Sequence, residues 1–172
     1  MPVSEPARPA VTLRGATAED VETIARVWHD GWGDGHLGHV PGALVPHRRL
    51  EDFHLRVPSR VPYTTVAVVG GRVVGFVTVQ DDEVEQVYVS AGARGLGIAD
   101  ALLAHAEREI AGRYRLAWLA VVAGNARARR FYERSGWQQA EAFDYDAEIA
   151  GGTLVVPSLR YEKTLGIAGG RG

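Results

Sequence analysis

Apolar residues along this chain switch between two periods. From Tyr63 to Val69, and again from Arg72 to Gln80, they alternate or run on, and Gly70-Gly71 lies between the two runs. That pattern predicts a β-hairpin with a two-residue glycine turn. Asp81-Asp82 makes a second turn, and Glu83 to Ser90 a third strand of the meander. Val73 to Val79 is apolar on both faces, which places it inside a sheet covered on both sides. Ile98, Leu102, Leu103, Ala106 and Ile110 recur at helical spacing, so a helix starts at the glycines before Ile98 and runs to about Ala111. Arg115 to Val122 reads as another buried strand. Asn125 is an N-cap for a helix carrying Ala128, Phe131 and Tyr132, and Ser135-Gly136 closes it with Gly at C′. Trp137 to Ile149 and Thr153 to Thr164 read as two final strands joined at Gly151-Gly152.

The first third is less regular. Val11 to Ala16 reads as a short strand. Thr17, with an acid three residues on, precedes the apolar helical face of Val21, Ile24, Ala25 and Trp28. From Trp28 to Val45 the pattern breaks, and Gly31, Gly33, Gly35, Gly38 and Gly42 accompany Trp32, Asp34, His36 and His39. A loop or short helix making ligand contacts is expected there. Pro46 to Arg56 is expected as a second helix, ended by Pro58 and Pro62. The Pro- and Ala-rich residues 1–10 are expected to be a disordered lead-in, and the Gly-rich residues 166–172 a flexible tail. Between them lies one domain, residues 11–165. The element order is β-α-(α)-β-β-β-α-β-α-β-β, an α/β chain with a mixed, mostly antiparallel sheet. Its strands Glu83–Ser90 and Arg115–Val122, joined through a helix, should run parallel.

Composition narrows the function. The 172 residues are 46% hydrophobic and 23% charged, as in an ordinary globular domain. A net charge of −2 leaves no nucleic-acid or acidic-membrane footprint on the whole chain. Without cysteine there is no disulfide framework, thiolate zinc site or cysteine nucleophile. That suits a reducing cytoplasm. No apolar run is long enough to span a bilayer. The expectation is a cytoplasmic protein with no metal, nucleic-acid or membrane partner.

The chemistry concentrates at Tyr88-Val89-Ser90-Ala91-Gly92-Ala93-Arg94-Gly95-Leu96-Gly97-Ile98-Ala99. It reads as a strand end, a glycine turn and the first turn of a helix. Unpaired N–H groups and a partial positive charge at such a helix start hold an anion, most often a phosphate. A P-loop would need Lys and Ser/Thr where Ile98 and Ala99 stand. A dinucleotide fingerprint would need Gly or Ala where Asp100 stands, and a first strand from an alternating β/α chain.

Arg94-Gly95-Leu96-Gly97-Ile98-Ala99 resembles the pyrophosphate-binding signature of the GNAT superfamily of N-acetyltransferases. Asn125-Ala126-Arg127-Ala128-Arg129-Arg130-Phe131-Tyr132-Glu133-Arg134-Ser135-Gly136-Trp137 resembles the family's next motif. Leu13-Arg14-Gly15-Ala16-Thr17 with Glu19-Asp20 resembles its usual opening, and the element order matches over roughly residues 11–164. Two positions depart: Ser90-Ala91 stands where the family often has Asp-Pro, and Asp100 puts an acid near the expected pyrophosphate.

The resemblance implies a GNAT-like fold whose parallel central strands splay around acetyl-CoA, the acetyl donor. It implies transfer of the acetyl group to a primary amine of a small molecule or peptide through a tetrahedral intermediate. Val87, Tyr88 and Val89 would meet the pantetheine arm, Arg94, Gly95, Leu96, Gly97, Ile98 and Ala99 the pyrophosphate, and Asn125 another part of the cofactor. The Arg127-Arg129-Arg130 cluster is a further candidate for a phosphate contact. Tyr132 would protonate the departing sulfur, and Glu83 or Glu85 would be the base. Trp28, Trp32, His36 and His39 are candidates for the acceptor site. Asp30, Asp34, Glu83 and Glu85 would suit a cationic amine. A homodimer is compatible with this reading. Two alternatives stay open: a non-catalytic CoA-binding regulatory or interaction module, and transfer of a larger acyl group. The residues also allow plainer roles, with Tyr132 and Trp28 as packed aromatics and the two glutamates as solvated carboxylates.

Overall fold

The computed structural model describes residues 7–166. Residues 1–6 of the expected lead-in and 167–172 of the expected tail lie outside it. Among the described residues seven strands form one sheet: β1 (Thr12–Gly15), β2 (Thr64–Val69), β3 (Arg72–Gln80), β4 (Glu83–Val89), β5 (Leu116–Val121), β6 (Gln138–Ile149) and β7 (Gly152–Thr164). Their order across the sheet is β1-β2-β3-β4-β5-β7-β6. Only β4 and β5 are parallel neighbours; the others are antiparallel. The helices are α1 (Val21–His36), α2 (Leu50–Arg56), α3 (Ile98–Ala111) and α4 (Ala126–Arg134). The expected α/β architecture is borne out.

Each sheet face carries its own core. Leu102, Leu103, Ala106 and Ile110 of α3 pack on Val77, Val79, Val84, Leu119 and Val121, with Phe131 and Tyr132 of α4 at the margin. On the opposite face Ile24, Trp28 and Trp32 of α1 and Phe53 of α2 pack on Val66, Phe76 and Val156. Strand β3 is apolar on both sides because it supplies both cores. Gly70 and Gly71 take φ of 57° and 76°, the positive values a tight two-residue hairpin requires. None of the described helices is long and apolar enough to cross a membrane.

The structure corrects three readings. First, Trp28–Val45 opens as helix: α1 continues through Gly31, Gly33 and Gly35 to His36. The apolar stripe Ile24, Trp28, Trp32 carries it past glycines that each lower helix stability by about 1 kcal/mol relative to alanine. Two of these glycines make room for neighbours. A Cβ on Gly31 would collide with the Tyr88 ring, and one on Gly35 would lie 2.6 Å from Nδ2 of Asn125. Second, the helix expected at Pro46–Arg56 shrinks to α2. A 3-10 turn at Gly42–His47 holds Pro46, and another at Pro58–Tyr63 begins with Pro58, since proline φ is compatible with such turns. Third, β5 is buried on one face only: Ala117, Leu119 and Val121 are covered while Leu116 is exposed.

Candidate active site

Strands β4 and β5 touch only at their starts. Glu83 is in register with Trp118, and the Trp118 N–H donates to the Asp82 carbonyl at 3.0 Å. No further pair joins these strands, and two cavities open at the gap. The larger, of about 550 Å³, lies between β4, α1, the start of α3 and α4. The smaller, of about 280 Å³, lies between β4, α1, α2 and β6. Both are bordered by Val87, Tyr88, Asn125, Ala128 and Tyr132, so these residues sit where the two meet.

The larger cleft has the features of an anion site. Gly95 and Gly97 have φ of 82° and 76°, and Gly97 caps α3 without any side-chain hydrogen bond. The first N–H groups of α3 therefore have no partner within the helix or from a cap side chain. Gly95, Gly97, Ile98 and Ala99 border the cleft, whereas Leu96 packs into the α3-side core. The Ser90 N–H donates to the Val74 carbonyl at 2.8 Å. Strand alternation then turns the N–H groups of Val89 and Val87 away from β3, toward the gap. Arg8, Arg94, Arg127, Arg130 and Arg134 line this cleft against a single acid, Asp100. The side chain of Arg94 is held by Asp34 at 2.7 Å. Arg129 turns elsewhere, donating to the Tyr161 hydroxyl at 3.2 Å and the Ala123 carbonyl at 3.0 Å. The donor set suits a polyphosphate. Arg8 and Arg134 had not stood out in the sequence, although Arg134 continues the face of Arg127 and Arg130 at helical spacing. Asn125 caps α4, its Oδ1 accepting the Ala128 N–H at 3.2 Å.

A β-bulge shapes the smaller cavity. Val84 pairs with Val79 and Gln86 with Thr78, which leaves Glu85 as an extra residue in β4. The strand's parity flips there. Val84, Val87 and Val89 pack on the α3 side, while Glu83, Glu85, Gln86 and Tyr88 border the cavity under α1. The Tyr145 hydroxyl donates to Glu83 at 3.0 Å. Burial pushes the Glu83 carboxyl up to about 7, against the opposing pull of that hydrogen bond. Glu85 is bound by Arg60, whose Nε lies 2.5 Å from its Oε1 and whose Nη2 lies 2.7 Å from Oε2 of Glu148. The two candidate bases are therefore unlike: one is paired with a cation, the other is not.

Trp28, Trp32 and His36 line this cavity. His36 stacks on Trp32 with centroids 5.1 Å apart, and its Nδ1 lies 3.0 Å from the Trp32 carbonyl. Burial lowers its pKa to about 4, so the neutral ring carries its hydrogen on Nδ1 and leaves Nε2 as an acceptor. His39 borders neither cavity; its exposed ring crosses Gly124. Asp30 lies beside His29 and Asp34 beside Arg94, so the expected cluster of four acids is not assembled in the cavity. Sequence reading also missed Arg48, Arg56, Arg60, Tyr145 and Glu148, all of which line it. Tyr132, at the junction, is pushed up to about 12 by burial, which keeps its phenol protonated.

Among solved structures the chain resembles ribosomal-protein-alanine N-acetyltransferase from Brucella melitensis, at 23% identity and TM-score 0.66 over 90% of this chain and 99% of that one. It resembles an N-acetyltransferase from Staphylococcus aureus Mu50 at 20% identity and TM-score 0.67, covering 91% and 99%. It also resembles PaiA N-acetyltransferase from Thermoplasma acidophilum, solved in complex with coenzyme A, at 18% identity and TM-score 0.64, covering 90% and 99%. These likenesses are of fold. No curated protein sequence matches the chain. The family model of the acetyltransferase (GNAT) family matches residues 25–137, a span that takes in the β4 edge, the glycine turn, Asn125 and Tyr132. The chain belongs to the acetyltransferase (GNAT) family.

Proposed function

We propose that this acetyltransferase moves the acetyl group of acetyl-CoA to a primary amine by direct attack, with Glu83 as base and Tyr132 as acid. The observation that carries the reading is the meeting of a basic cleft and a smaller polar cavity at Tyr132, across the gap between β4 and β5. The N–H groups at residues 95–99 and the surrounding arginines would hold the diphosphate. The free edge of Val87–Val89 would pair with the pantetheine arm as an added strand would.

The acceptor amine would enter from the smaller cavity. Its nitrogen must be neutral to attack, and Glu83, held near 7, is matched to taking a proton at working pH. Glu85 is less suited, because Arg60 already holds its charge. As the C–N bond forms, negative charge gathers on the thioester oxygen, where the Val89 N–H would donate to it. The C–S bond then breaks and the sulfur receives the Tyr132 proton. A free thiol sits near ~8.5, so a phenol near 12 delivers its proton only as the sulfur becomes anionic. The amine's proton, passed through Glu83 and solvent, restores the phenol. The products are an acetamide and free coenzyme A. The lack of cysteine accords with a site of action in the reducing cytoplasm.

A thermal shift with acetyl-CoA, followed by a thiol-release assay over a panel of amines, tests this. Stabilisation together with amine-dependent thiol release is expected. Stabilisation with no release on any amine would sink the catalytic reading and favour a CoA-binding module.

A further inference from the structure

Three arginines line the smaller cavity, and they differ in one respect. Arg60 has its anions, Glu85 and Glu148. Arg56, the last residue of α2, has none. Its Nε and Nη1 are buried without a hydrogen-bond partner among the described residues. Its guanidinium lies 4.4 Å from the Trp28 ring centre and 5.6 Å from that of Phe53. Arg48 is 6% exposed and lies 5.9 Å from the Trp32 ring centre. Its Nη1 donates only to the neighbouring His47 carbonyl, at 3.0 Å. Burial lowers the pKa of both, Arg56 to about 10, yet both stay charged at neutral pH.

Three of the four acids that line the cavity are already engaged. Arg60 takes Glu85 and Glu148, Tyr145 holds Glu83, and Asp146 stands on an exposed stretch of β6. Two guanidinium groups, one buried and one with two of its three nitrogens buried, are unfavourable without a carboxylate in a resting protein, because desolvation is not offset by pairing. They are favourable where an anion arrives with the substrate. The planar fork of arginine matches a carboxylate or a phosphonate with paired hydrogen bonds.

We propose that the acceptor is a small molecule bearing an anionic oxygen-acid group beside its primary amine, and that Arg56 with Arg48 binds that group while the amine faces Glu83. This rests on the acyl-transfer reading of the cavity. A space of about 280 Å³ suits a molecule of amino-acid size, just below the usual range for drug-sized ligands. The charge preference is the reverse of the one that counting acids along the sequence suggests.

The test uses matched acceptors with the full-length protein and acetyl-CoA: protein amino acids, their α-amides, the amines left by decarboxylation, and aminomethyl- and aminoethylphosphonate. Acids should exceed their amides and decarboxylated partners at least tenfold in kcat/KM. The ratio between amino acids and phosphonates identifies which anion is used. In Arg56→Gln the preference should fall at least tenfold through the acceptor KM, with the acetyl-CoA KM read alongside, and Arg56→Lys should restore part of it. Arg48→Gln supplies the same readout if Arg56→Gln does not fold. Amides or simple amines that react as well as the acids overturn the proposal. If no acceptor releases thiol, calorimetry on the coenzyme A complex still decides. Acid binding that Arg56→Gln abolishes upholds the anion site while acetyl transfer fails, and no binding of any acid overturns the site itself.

Discussion

Tyr145 on β6 donates a 3.0 Å hydrogen bond to Glu83 at the start of β4, tying an edge strand to the one carboxylate in the cavity that burial pushes up to about 7. Between the ordinary carboxyl value of 4.5 and about 7 the folded chain keeps a proton that the unfolded chain has lost. The Glu83 contribution to stability must therefore fall as pH rises through that window and level off above it, while His36, held by burial at about 4, contributes in the opposite sense below its ordinary 6.5. Glu83→Gln removes this slope and should be more stable than the parent at pH 8, by on the order of 1–3 kcal/mol. Denaturant unfolding of the parent and Glu83→Gln at pH 5 and pH 8 reads the difference; a stability gap between the two proteins that does not widen toward pH 8 would contradict it.

The same ionisation governs rate. With acceptors whose own titration is held apart, kcat/KM should rise with pH and level near 7. Glu83→Gln should lower kcat by about 10² to 10⁴. Tyr145→Phe removes a donor that favours the charged carboxylate, so the rising limb should move to higher pH while the plateau survives. A pH–rate profile of the three proteins checks this. A limb that stays in place in Tyr145→Phe would separate Glu83 from the titration.

Tyr132 touches both cavities, and its ring is packed against Phe131, Trp137 and Tyr161. Tyr132→Phe keeps that packing and deletes only the proton donor. The expected outcome is a kcat lowered by about 10² or more, with acetyl-CoA affinity by calorimetry almost unchanged. Unchanged turnover would remove Tyr132 from the mechanism and leave it as a packed aromatic.

The elements written in local periodicity were readable from sequence: the glycine hairpin, the β4-α3-β5 crossover, the Asn125 cap. So was the basic cleft at the glycine turn, because glycines followed at once by an apolar helical stripe are a local signal. The arginine lining of the smaller cavity was not. Arg48 follows the 3-10 turn Gly42–His47, Arg56 ends α2 and Arg60 lies in the 3-10 turn Pro58–Tyr63, and only their shared contact with the Trp28–Trp32 face brings them together. The bulge at Glu85 decides which residues of β4 face them, and nothing in Glu83–Val89 marks its place. The α1 glycines misled for a related reason. Glycine signals a loop when its backbone freedom matters, but Gly31 and Gly35 are needed for their lack of a Cβ.

That distinction separates three substitutions on one helix. Gly33 has room: its nearest heavy atom to an added Cβ is Leu37 Cδ1, at 3.8 Å. Gly33→Ala should stabilise the protein by about 0.5–1 kcal/mol through helix propensity and the unfolded chain. Gly31→Ala drives a methyl into the Tyr88 ring, and Gly35→Ala drives one into the Asn125 amide. Overpacking of this kind costs about 1–3 kcal/mol, more than propensity returns. Both variants should melt lower than the parent and raise the acetyl-CoA KM, because Tyr88 and Asn125 border the cleft. Equal melting temperatures for the Gly33 and Gly35 variants would remove the close-packing explanation.

Arg56 offers a test in which stability and binding move in opposite directions. Its guanidinium gains about 1–2 kcal/mol from the Trp28 face but loses several through desolvation without an anion. Arg56→Met keeps an unbranched chain on Trp28 and removes the charge. The variant should therefore be more stable than the parent by about 1 kcal/mol in denaturant unfolding without substrate. An anionic acceptor should stabilise the parent more than the variant, since only the parent supplies the cation it binds. A charge kept at the expense of resting stability is what a binding residue requires. A variant less stable than the parent would show instead that Arg56 holds α2 against α1 through its stacking on Trp28.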